Sequence, residues 1–346
     1  MEDIKLDLRS MTIEDIEEFC ENIGEKKYRA KQIFRWLYND VEDIEAMTNL
    51  PQLLRYKISR SAYISNAKIE KKYESKIDST IKYLLKFEDG NIIECVLMKY
   101  SYGSSACLST QIGCRMGCSF CASTIGGLVR NLSPGEMVDE IVSIQKDCND
   151  RISNIVLMGS GEPFDNFDNV IKFLKIINTD EGLNIGMRHV TLSTCGLVPE
   201  IKKLADLNLQ ITLAISLHAP NDEIRRKMMP VANKYTIDEI LESCRYYIYA
   251  TNRRITFEYS LINGVNDSIE NAMQLSVLLK NLLCHVNLIP INEISENDYK
   301  KTNSNRVNEF KRKLEYSGIA VTVRRELGAD INAACGQLRK NYINYL

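Results

Sequence analysis

Cysteines are concentrated in one short segment of this 346-residue chain. Residues 106–124, ACLSTQIGCRMGCSFCAST, hold four of the 11 cysteines. Three of the four, Cys114, Cys118 and Cys121, have the spacing C-x3-C-x2-C. The cysteine count is odd and the chain lacks an export signal, so we expect reduced thiols. Clustered reduced thiols usually serve a metal site or catalysis.

Two kinds of metal site fit three closely spaced thiolates. A structural zinc ion needs four nitrogen or sulfur ligands, and the nearest further thiol, Cys107, lies in a strand-like run. The chain has 3 histidines, and none stands in the H-x-E pattern of the zinc deaminases. Three thiolates suit an iron–sulfur cluster that keeps one iron open for an outside ligand. The pattern therefore favours a cluster over zinc.

Composition indicates an ordinary globular protein of the cytoplasm. Hydrophobic residues make up 45% and charged residues 26% of the chain, which is long enough to bury a large core. The first residues, MEDIKLDLRS, are acidic and precede no apolar run, so we expect neither a secretory signal nor a transit peptide. No stretch approaches the ~20 apolar residues of a membrane span. The net charge of -2 gives no global reason to expect nucleic acid.

Strand-like and helix-like segments alternate from about residue 105 onward. Six βα units in succession predict a parallel sheet, either open or closed into a barrel. Ligands bind at the carboxyl ends of such strands, so the loops that follow them are expected to share one rim. The strand-like runs are ACLST (106–110), SNIVLMG (153–159), RHVTLST (188–194), QITLAISLH (210–218), RITFEYSLI (254–262) and CHVNLIPI (284–291). The rim loops are GSGEP (159–163), STCG (193–196), SLH (216–218), NGVND (263–267) and PIN (290–292).

Two smaller units precede this array. TIEDIEEFCENIG predicts a helix that begins at Thr12 and ends at Gly24, and YRAKQIFRWLYND predicts a second amphipathic helix. KYLLKFEDGNIIECVLMKY predicts a β-hairpin that turns at Asp89-Gly90. We expect a helical accessory domain at residues 1–70, a hairpin and linker at 71–104, and a core with a C-terminal tail at 105–346.

The cysteine loop at the first βα connection resembles that of the radical S-adenosylmethionine (radical SAM) superfamily. In that superfamily the methionyl amine and carboxylate of SAM bind the open iron, and Phe120 fits the aromatic residue usual before the last ligand. GSGEP resembles the segment that contacts the SAM amine, which implies Gly161 and Glu162 as contacts. The resemblance implies a partial (β/α)6 barrel of TIM type, with SAM and a 4Fe-4S cluster as cofactors. The implied cluster ligands are Cys114, Cys118 and Cys121.

A closer resemblance joins five segments along the chain. ACLSTQIGC, GEPFDN, SLHAPNDEIR, NLIPIN and DINAACGQL occur in the order and at about the spacing of RlmN-type RNA adenine methyltransferases. YRAKQIFRWLY is similar to the N-terminal accessory domain of that family, where it implies an RNA-docking role. The resemblance covers residues 12–339. It implies further SAM contacts from Ser193, Ser216, Leu217, His218 and Asn292.

The resemblance also implies a two-cysteine reaction cycle. Cys335 takes a methyl group from one SAM, and a second SAM supplies the radical that activates this methyl group for addition to adenine. Glu94 holds the proton-acceptor position, and Cys107 then attacks the sulfur of Cys335, releasing methyladenine and leaving a disulfide. From the residues alone, packing is the better explanation for Cys335 and Cys107, and a solvated position on a strand is the better explanation for Glu94. The implied target is carbon 2 of an adenosine in the peptidyl-transferase region of 23S rRNA and of the adenosine 3' of the tRNA anticodon.

Two alternative functions stay open, and the sequence also suggests partners. A Cfr-type enzyme methylates carbon 8 of the rRNA adenosine and confers antibiotic resistance, and Pro163 favours the RlmN type. A zinc-stabilised RNA-binding module without catalysis is the alternative from another class. We expect a flavodoxin-like or ferredoxin-like electron donor, no membrane and a monomer, with RNA-binding patches at residues 26–35 and 311–313. Cys195 stands where relatives often carry serine.

Overall fold

The computed structural model describes residues 5–38, 41–294 and 297–338. Within these ranges the central element is one ten-stranded sheet, whose strands lie side by side in chain order. The six predicted strand-like runs correspond to β4–β9 in the following list. The strands are β1 (Lys68–Glu74), β2 (Ile81–Lys86), β3 (Ile92–Tyr100), β4 (Gly103–Cys107), β5 (Ile152–Leu157), β6 (Val190–Thr194), β7 (Thr212–Ser216), β8 (Ile255–Leu261), β9 (Cys284–Pro290) and β10 (Ala320–Val323).

The sheet has an antiparallel part and a parallel part. Strands β1 to β4 pair antiparallel, and β4 to β10 pair parallel. The predicted hairpin is confirmed, since β2 and β3 pair antiparallel around Gly90, whose φ is 81°. Two further ladders join Leu6–Asp7 to Ala62–Tyr63 and Gln111–Ile112 to Arg130–Asn131.

Ten α-helices lie within the described ranges. Those after β4 supply the crossovers that parallel pairing requires. They are α1 (Ile13–Asn22), α2 (Tyr28–Leu37), α3 (Gln52–Ser61), α4 (Pro134–Cys148), α5 (Phe167–Asn178), α6 (Val198–Asp206), α7 (Asp222–Met228), α8 (Ile237–Thr251), α9 (Ile269–Leu278) and α10 (Ser304–Tyr316). None of the helices in the described part of the chain is long and apolar enough to cross a membrane.

Capping residues determine where the main helices begin. Ser133 accepts a hydrogen bond from Glu136 N and donates its own N–H to the Glu136 carboxylate, which places Pro134 at the first position of α4. Thr12 and Asp15 form the same reciprocal pair at the start of α1. Each pair satisfies backbone donors that would otherwise lack partners. The predicted start of α1 at Thr12 is confirmed.

Two edge strands were not predicted from the sequence. β10 is a seventh parallel strand, four residues long, and β1 adds a third antiparallel strand to the predicted hairpin. Both carry residues that are mainly exposed or half-buried. Edge strands contact a neighbour on one side only, and the lysines of β1 (KIEKKYE) protect its open edge from aggregation. Neither strand therefore shows the apolar run that identifies an inner strand.

The sheet curls into a partial barrel, as predicted. Nine strand spacings of ~4.8 Å would make a flat ten-stranded sheet roughly 43 Å wide. The chain leaves β10 at Val323, and Gly328 N already donates to Asp78, in the turn between β1 and β2, at 3.0 Å. Five residues span at most ~18 Å, so the two edges of the sheet must face each other. In the described residues β1 and β10 form no hydrogen-bonded ladder, and the barrel is open between them.

Residues 327–338, called the tail, follow β10 and form a bridge across this opening. Asp330 accepts hydrogen bonds from Ser75 Oγ at 2.7 Å and Lys76 N at 2.8 Å. Lys82 Nζ on β2 donates to Asn332 O at 3.2 Å. The antiparallel extension therefore anchors the tail from the far edge of the sheet.

A buried ion pair joins the N-terminal helices to the barrel. Arg9 Nη1 lies 2.5 Å from Asp139 Oδ1 on α4, and the side chains are 2% and 1% exposed. Arg9 also donates to Ser65 O at 2.7 Å and Val41 O at 3.0 Å. One continuous hydrophobic core includes residues of the N-terminal helices and of the barrel. The N-terminal helices are thus packed against the barrel.

We expect Arg9→Met to lower the free energy of unfolding by about 3–5 kcal/mol, because the buried Asp139 carboxylate loses its countercharge. The matched control is Lys31→Met, which removes a pair with Glu181 whose lysine is 56% exposed, and it should cost less than about 1 kcal/mol. Urea unfolding followed by circular dichroism measures both. Equal losses in the two variants would show that the Arg9 pair does not hold the helices.

Candidate active site

A cavity with about 950 Å³ of open space lies at the carboxyl ends of the parallel strands. The rim loops meet there, as the topology predicts. Leu217 is buried beneath it, and its carbonyl accepts from Arg225 Nε at 3.2 Å. The predicted site residues that line this first cavity are Cys114, Cys118, Cys121, Gly161, Glu162, Ser193, Ser216, His218, Asn292 and Cys335.

The three clustered cysteines lie on one loop whose backbone is held by hydrogen bonds, one within the loop and one to Met228. Cys121 N donates to Cys118 O at 3.2 Å, and Ser119 N donates to Met228 O at 2.9 Å. Burial raises the pKa of Cys114 to about 12 and also raises the pKa values of Cys118 and Cys121. Three thiolates in this environment need bound positive charge to stay ionised.

The donor set fits an iron–sulfur cluster. Among the described residues, no three Cys, His, Asp or Glu side chains converge closely enough to hold one metal ion. In a 4Fe-4S cluster each cysteine binds a different iron, so the ligands lie farther apart than the ligands of a single zinc ion. All three thiols nevertheless face the same cavity.

Gly161 and Glu162 form a narrow cradle on the opposite wall. Gly161 has a φ of +106°, and a Cβ there would lie 2.6 Å from Gln111 Cβ, so only glycine fits. Glu162 Oε2 accepts from Cys195 N at 2.8 Å, and Oε1 accepts from Phe164 N at 3.1 Å. Burial raises the pKa of Glu162, and an ammonium group in the cavity would supply the missing countercharge.

The remaining predicted contacts offer polar groups of fixed orientation. Ser193 Oγ and Ser216 Oγ are 3.3 Å apart. Burial lowers the pKa of His218 to about 3, so its ring is neutral, and its Nδ1 accepts from Ser260 N at 2.9 Å. Asn292 Oδ1 is buried without a hydrogen-bond partner in the described part of the chain. An adenosine or amino-acid group of SAM would satisfy it.

Cys335 is held at the cavity by hydrogen bonds to its own carbonyl and to the carbonyls of residues that follow it. Asn292 Nδ2 donates to Cys335 O at 3.0 Å, and Ala122 N donates to Gly336 O at 2.7 Å. Ser123 Oγ donates to Leu338 O at 2.8 Å. The tail is therefore attached directly to the cysteine loop, although Cys335 and Cys121 are more than two hundred residues apart in sequence.

A second cavity, with about 1150 Å³ of open space, adjoins the first. Cys335 lines both cavities, and Cys107 lines the second. Burial, with the nearby Cys335, raises the pKa of Cys107 to about 12. The two cysteines are free thiols in this structure, so the predicted disulfide is not present.

Glu94 lies deeper, behind the second cavity. Strand side chains alternate, so Glu94 shares a face of β3 with Val96 and Met98, which line that cavity. Its carboxylate is 1% exposed and lies 3.2 Å from Lys82 Nζ, which is also 1% exposed. Glu94 lines neither the first nor the second cavity, but it belongs to the same wall as Cys107.

Arg324 lines both cavities and was not predicted from the sequence. Its Nη1 lies 3.4 Å from Met158 Sδ, and the negative charges of Cys335 and Glu258 raise the pKa of its guanidinium. Arg324 follows the unpredicted strand β10, which is why no pattern identified it. Glu258 could have been identified from the sequence, since it is the one acidic residue in the strand-like run RITFEYSLI.

Comparisons with known proteins agree with this geometry. Residues 108–276 match the model of the radical SAM superfamily, and residues 6–64 match the model described as the ribosomal RNA large subunit methyltransferase N-terminal domain. A radical SAM methyltransferase from Sphaerobacter thermophilus has the same fold, with a TM-score of 0.92 and 43% identity. The match covers 96% of this chain and 99% of that one. The fold and the cysteine loop thus define a radical SAM enzyme.

Curated relatives identify the family more closely. The chain is 60% identical to a probable dual-specificity RNA methyltransferase RlmN of Alkaliphilus oremlandii, over 98% of this chain and 99% of the relative. It is 58% identical to the protein of the same description from Clostridium novyi, over 96% and 98%. The chain belongs to the RlmN family of radical SAM RNA methyltransferases. Its cofactors are a 4Fe-4S cluster and SAM, and the alternative of a non-catalytic zinc module is excluded.

We expect Cys121→Ala to lose most of the iron that the wild-type protein binds, because a cluster ligand is missing. Cys195→Ser is the matched control, since Cys195 is a buried thiol of the same cavity outside the predicted ligand set, and it should keep its iron. Metal analysis of anaerobically purified proteins measures both. Iron loss in Cys195→Ser with retention in Cys121→Ala would show that the ligands were assigned wrongly.

Proposed function

We propose that this enzyme methylates carbon 2 of adenosine, both in the peptidyl-transferase region of 23S rRNA and at the position 3' of the tRNA anticodon. The observation that carries the proposal is the place of Cys335, which lines the cofactor cavity and the second cavity at once. Its sulfur can exchange groups with either side. The curated relatives are described as dual-specificity RNA methyltransferases, which supports two RNA substrates.

The choice of carbon 2 follows from the family and from the chemistry of adenine. Carbon 2 lies between two ring nitrogens and is electron-poor, so it does not attack an electrophilic methyl group. A carbon-centred radical on the enzyme can add there. Pro163, directly after Glu162, supports the RlmN type over the carbon-8 type.

The cofactors are assigned to the walls of the first cavity. When bound, they supply an electrophilic methyl group and a deoxyadenosyl radical. We assign the cluster to Cys114, Cys118 and Cys121, and the SAM amine to the carboxylate of Glu162 beside Gly161. The remaining proposed contacts are Ser193, Ser216, Leu217, His218 and Asn292.

Cys335 is the proposed methyl acceptor. Its backbone is fixed by Asn292 and by the cysteine loop, so its sulfur keeps one position between the cavities. Arg324 lines both cavities beside Cys335, and the thiolate is the form of a cysteine that accepts a methyl group. After one hydrogen atom passes from this methyl group to the deoxyadenosyl radical, the methylene radical left on Cys335 adds to the adenine ring, and the one surplus electron of the adduct would return to the iron–sulfur cluster.

Glu94 and Cys107 complete the proposed cycle. Glu94 accepts the proton that leaves carbon 2, and its buried carboxylate is held 3.2 Å from Lys82 Nζ. Cys107 then attacks the sulfur of Cys335, the carbon–sulfur bond breaks, and the adenine methylene takes a proton to become methyl. The enzyme leaves this step with a Cys107–Cys335 disulfide that an external reductant must open.

Other parts of the proposal concern partners and domains. We assign electron supply to a flavodoxin-like or ferredoxin-like donor and expect a monomer in the cytoplasm. Residues 1–70 are proposed to dock RNA, residues 71–104 to support the tail, and residues 105–346 to carry catalysis. The candidate RNA patches are residues 26–35, around α2, and residues 311–313 on α10.

The position of the methyl group tests the proposed product. We expect digests of rRNA and tRNA, treated with wild-type enzyme, SAM and a reductant, to contain 2-methyladenosine. Chromatography against standards separates 2-methyladenosine from 8-methyladenosine, and mass spectrometry identifies both. An 8-methyladenosine product would contradict the proposal and support the carbon-8 activity.

The two cysteines should fail at different steps. Cys335→Ala lacks the methyl acceptor, so we expect neither methylation nor a covalent complex. Cys107→Ala still permits addition to adenine but cannot release it, so we expect a denaturant-resistant complex of protein and RNA. Gel electrophoresis with labelled RNA measures the complex.

Cys95→Ala is the control for the second test, because Cys95 is a buried cysteine of β3 that lines neither cavity. It should turn over without accumulating the complex. Normal turnover by Cys107→Ala, or a covalent complex with Cys335→Ala, would mean that the roles of the two thiols are assigned wrongly.

A further inference from the structure

Two tyrosines stand at the rim of the second cavity. Tyr100 ends β3, and Tyr102 occupies the turn that leads into β4. Their rings are stacked, with centroids 4.9 Å apart and planes 8° apart. Tyr100 is 37% exposed and Tyr102 is 70% exposed. The pair therefore presents a flat aromatic surface to solvent. Because both rings are exposed, packing in the core does not explain why two aromatic residues stand here.

The turn that carries the pair is closely packed. Tyr100 pairs with Gly103 across the turn, so only two residues lie between them. Gly103 has a φ of +128°, and a Cβ there would lie 2.4 Å from Ser153 Oγ on β5. The backbone of the turn is thus held against the neighbouring strand. An aromatic surface on a fixed turn loses little conformational entropy when it binds a ligand.

The tyrosines connect the reacting thiols to an outer groove. Tyr100 lines the second cavity together with Cys107 and Cys335. It also lines a groove with about 570 Å³ of open space, to which Tyr102, Arg188, His189, Asn154 and Arg324 contribute. One continuous surface therefore runs from Cys335, past Tyr100, to the exposed ring of Tyr102.

The charge of this surface is positive. None of the residues that line the outer groove is acidic. Arg188 in the groove and Arg325 at the second cavity make no ion pair with a carboxylate in the described part of the chain. Open aromatic rings next to unpaired guanidinium groups are the combination that binds single-stranded nucleic acid, in which flat bases alternate with phosphates.

We propose that Tyr100 and Tyr102 form a stacking platform for the nucleotide next to the target adenosine, and that Arg188 and Arg325 contact the phosphates beside it. The target base must reach Cys335, so its neighbour along the strand lies at the rim of the same cavity. The inference rests on the proposed function for the identity of the target. A stacked neighbouring base is the same requirement for methylation at carbon 2 or carbon 8.

The test is a binding cycle between protein and RNA variants. The probe is a fluorescein-labelled RNA hairpin, taken from the peptidyl-transferase region or the anticodon arm, that the wild-type enzyme methylates. Fluorescence anisotropy under anaerobic conditions gives Kd. Tyr102→Ala should raise Kd about tenfold, within the range expected for loss of one stacked base. Tyr102→Phe keeps the flat ring and should retain wild-type affinity.

The RNA half of the cycle uses hairpins with an abasic site 5' or 3' of the target. One of these should bind the wild-type enzyme about tenfold more weakly, and Tyr102→Ala should then cause no further loss. Tyr249→Ala, an 85% exposed tyrosine on α8, is the matched control and should bind every hairpin like wild type.

Wild-type affinity of Tyr102→Ala for the intact hairpin would overturn the inference. An equal loss for intact and for both abasic hairpins would overturn it too, because the ring would then contact no neighbouring base. Mass spectrometry of the same hairpins reports failure of the proposed function separately. A methyl group on carbon 8 of the target adenosine would show that the proposed product is wrong, whatever the Kd values show.

Discussion

The site depends on the attachment of the tail across the open side of the barrel. Asp78 and Asp330 fix the tail to the turn between β1 and β2, and Asn292 and the cysteine loop fix it at Cys335. The antiparallel strands thus have a catalytic purpose, because they carry the far anchor of the bridge. Without that anchor, Cys335, the proposed methyl acceptor, would be held only by Asn292 and the cysteine loop.

Buried charges define what each cavity can bind. Glu162 lines the first cavity and has no cationic side-chain partner among the described residues, so a cationic ligand is favoured there. Glu94 in the wall of the second cavity is already paired with Lys82. Arg324 lines both cavities, and the negative charge of Glu258 contributes to raising the pKa of its guanidinium. The first cavity is therefore suited to a cationic cofactor, and the second contains the groups to which proton transfer and sulfur chemistry are assigned in the proposed function.

The sequence predicted the parts of the structure that leave local patterns. The six inner strands, the hairpin, the cap of α1 and the cysteine loop could each be predicted, because burial, turn geometry and capping restrict residue types at short range. The edge strands β1 and β10 were missed, since they bury little apolar surface. Arg324 and Lys82 were missed for another reason. Their importance comes from neighbours far away in the chain, which periodicity does not register.

The bridge also orders events while the chain folds. The hydrogen bonds of Asp330 to Ser75 and Lys76 join residues 255 and 254 positions apart, and such distant contacts form late because long loops must close first. The cysteine loop leaves the ribosome more than two hundred residues before Cys335, and its βα units can fold as they emerge. The part of the chain that holds the cysteine loop can therefore fold before the segment with Cys335 is complete, and the opening between β1 and β10 is bridged only when the tail docks.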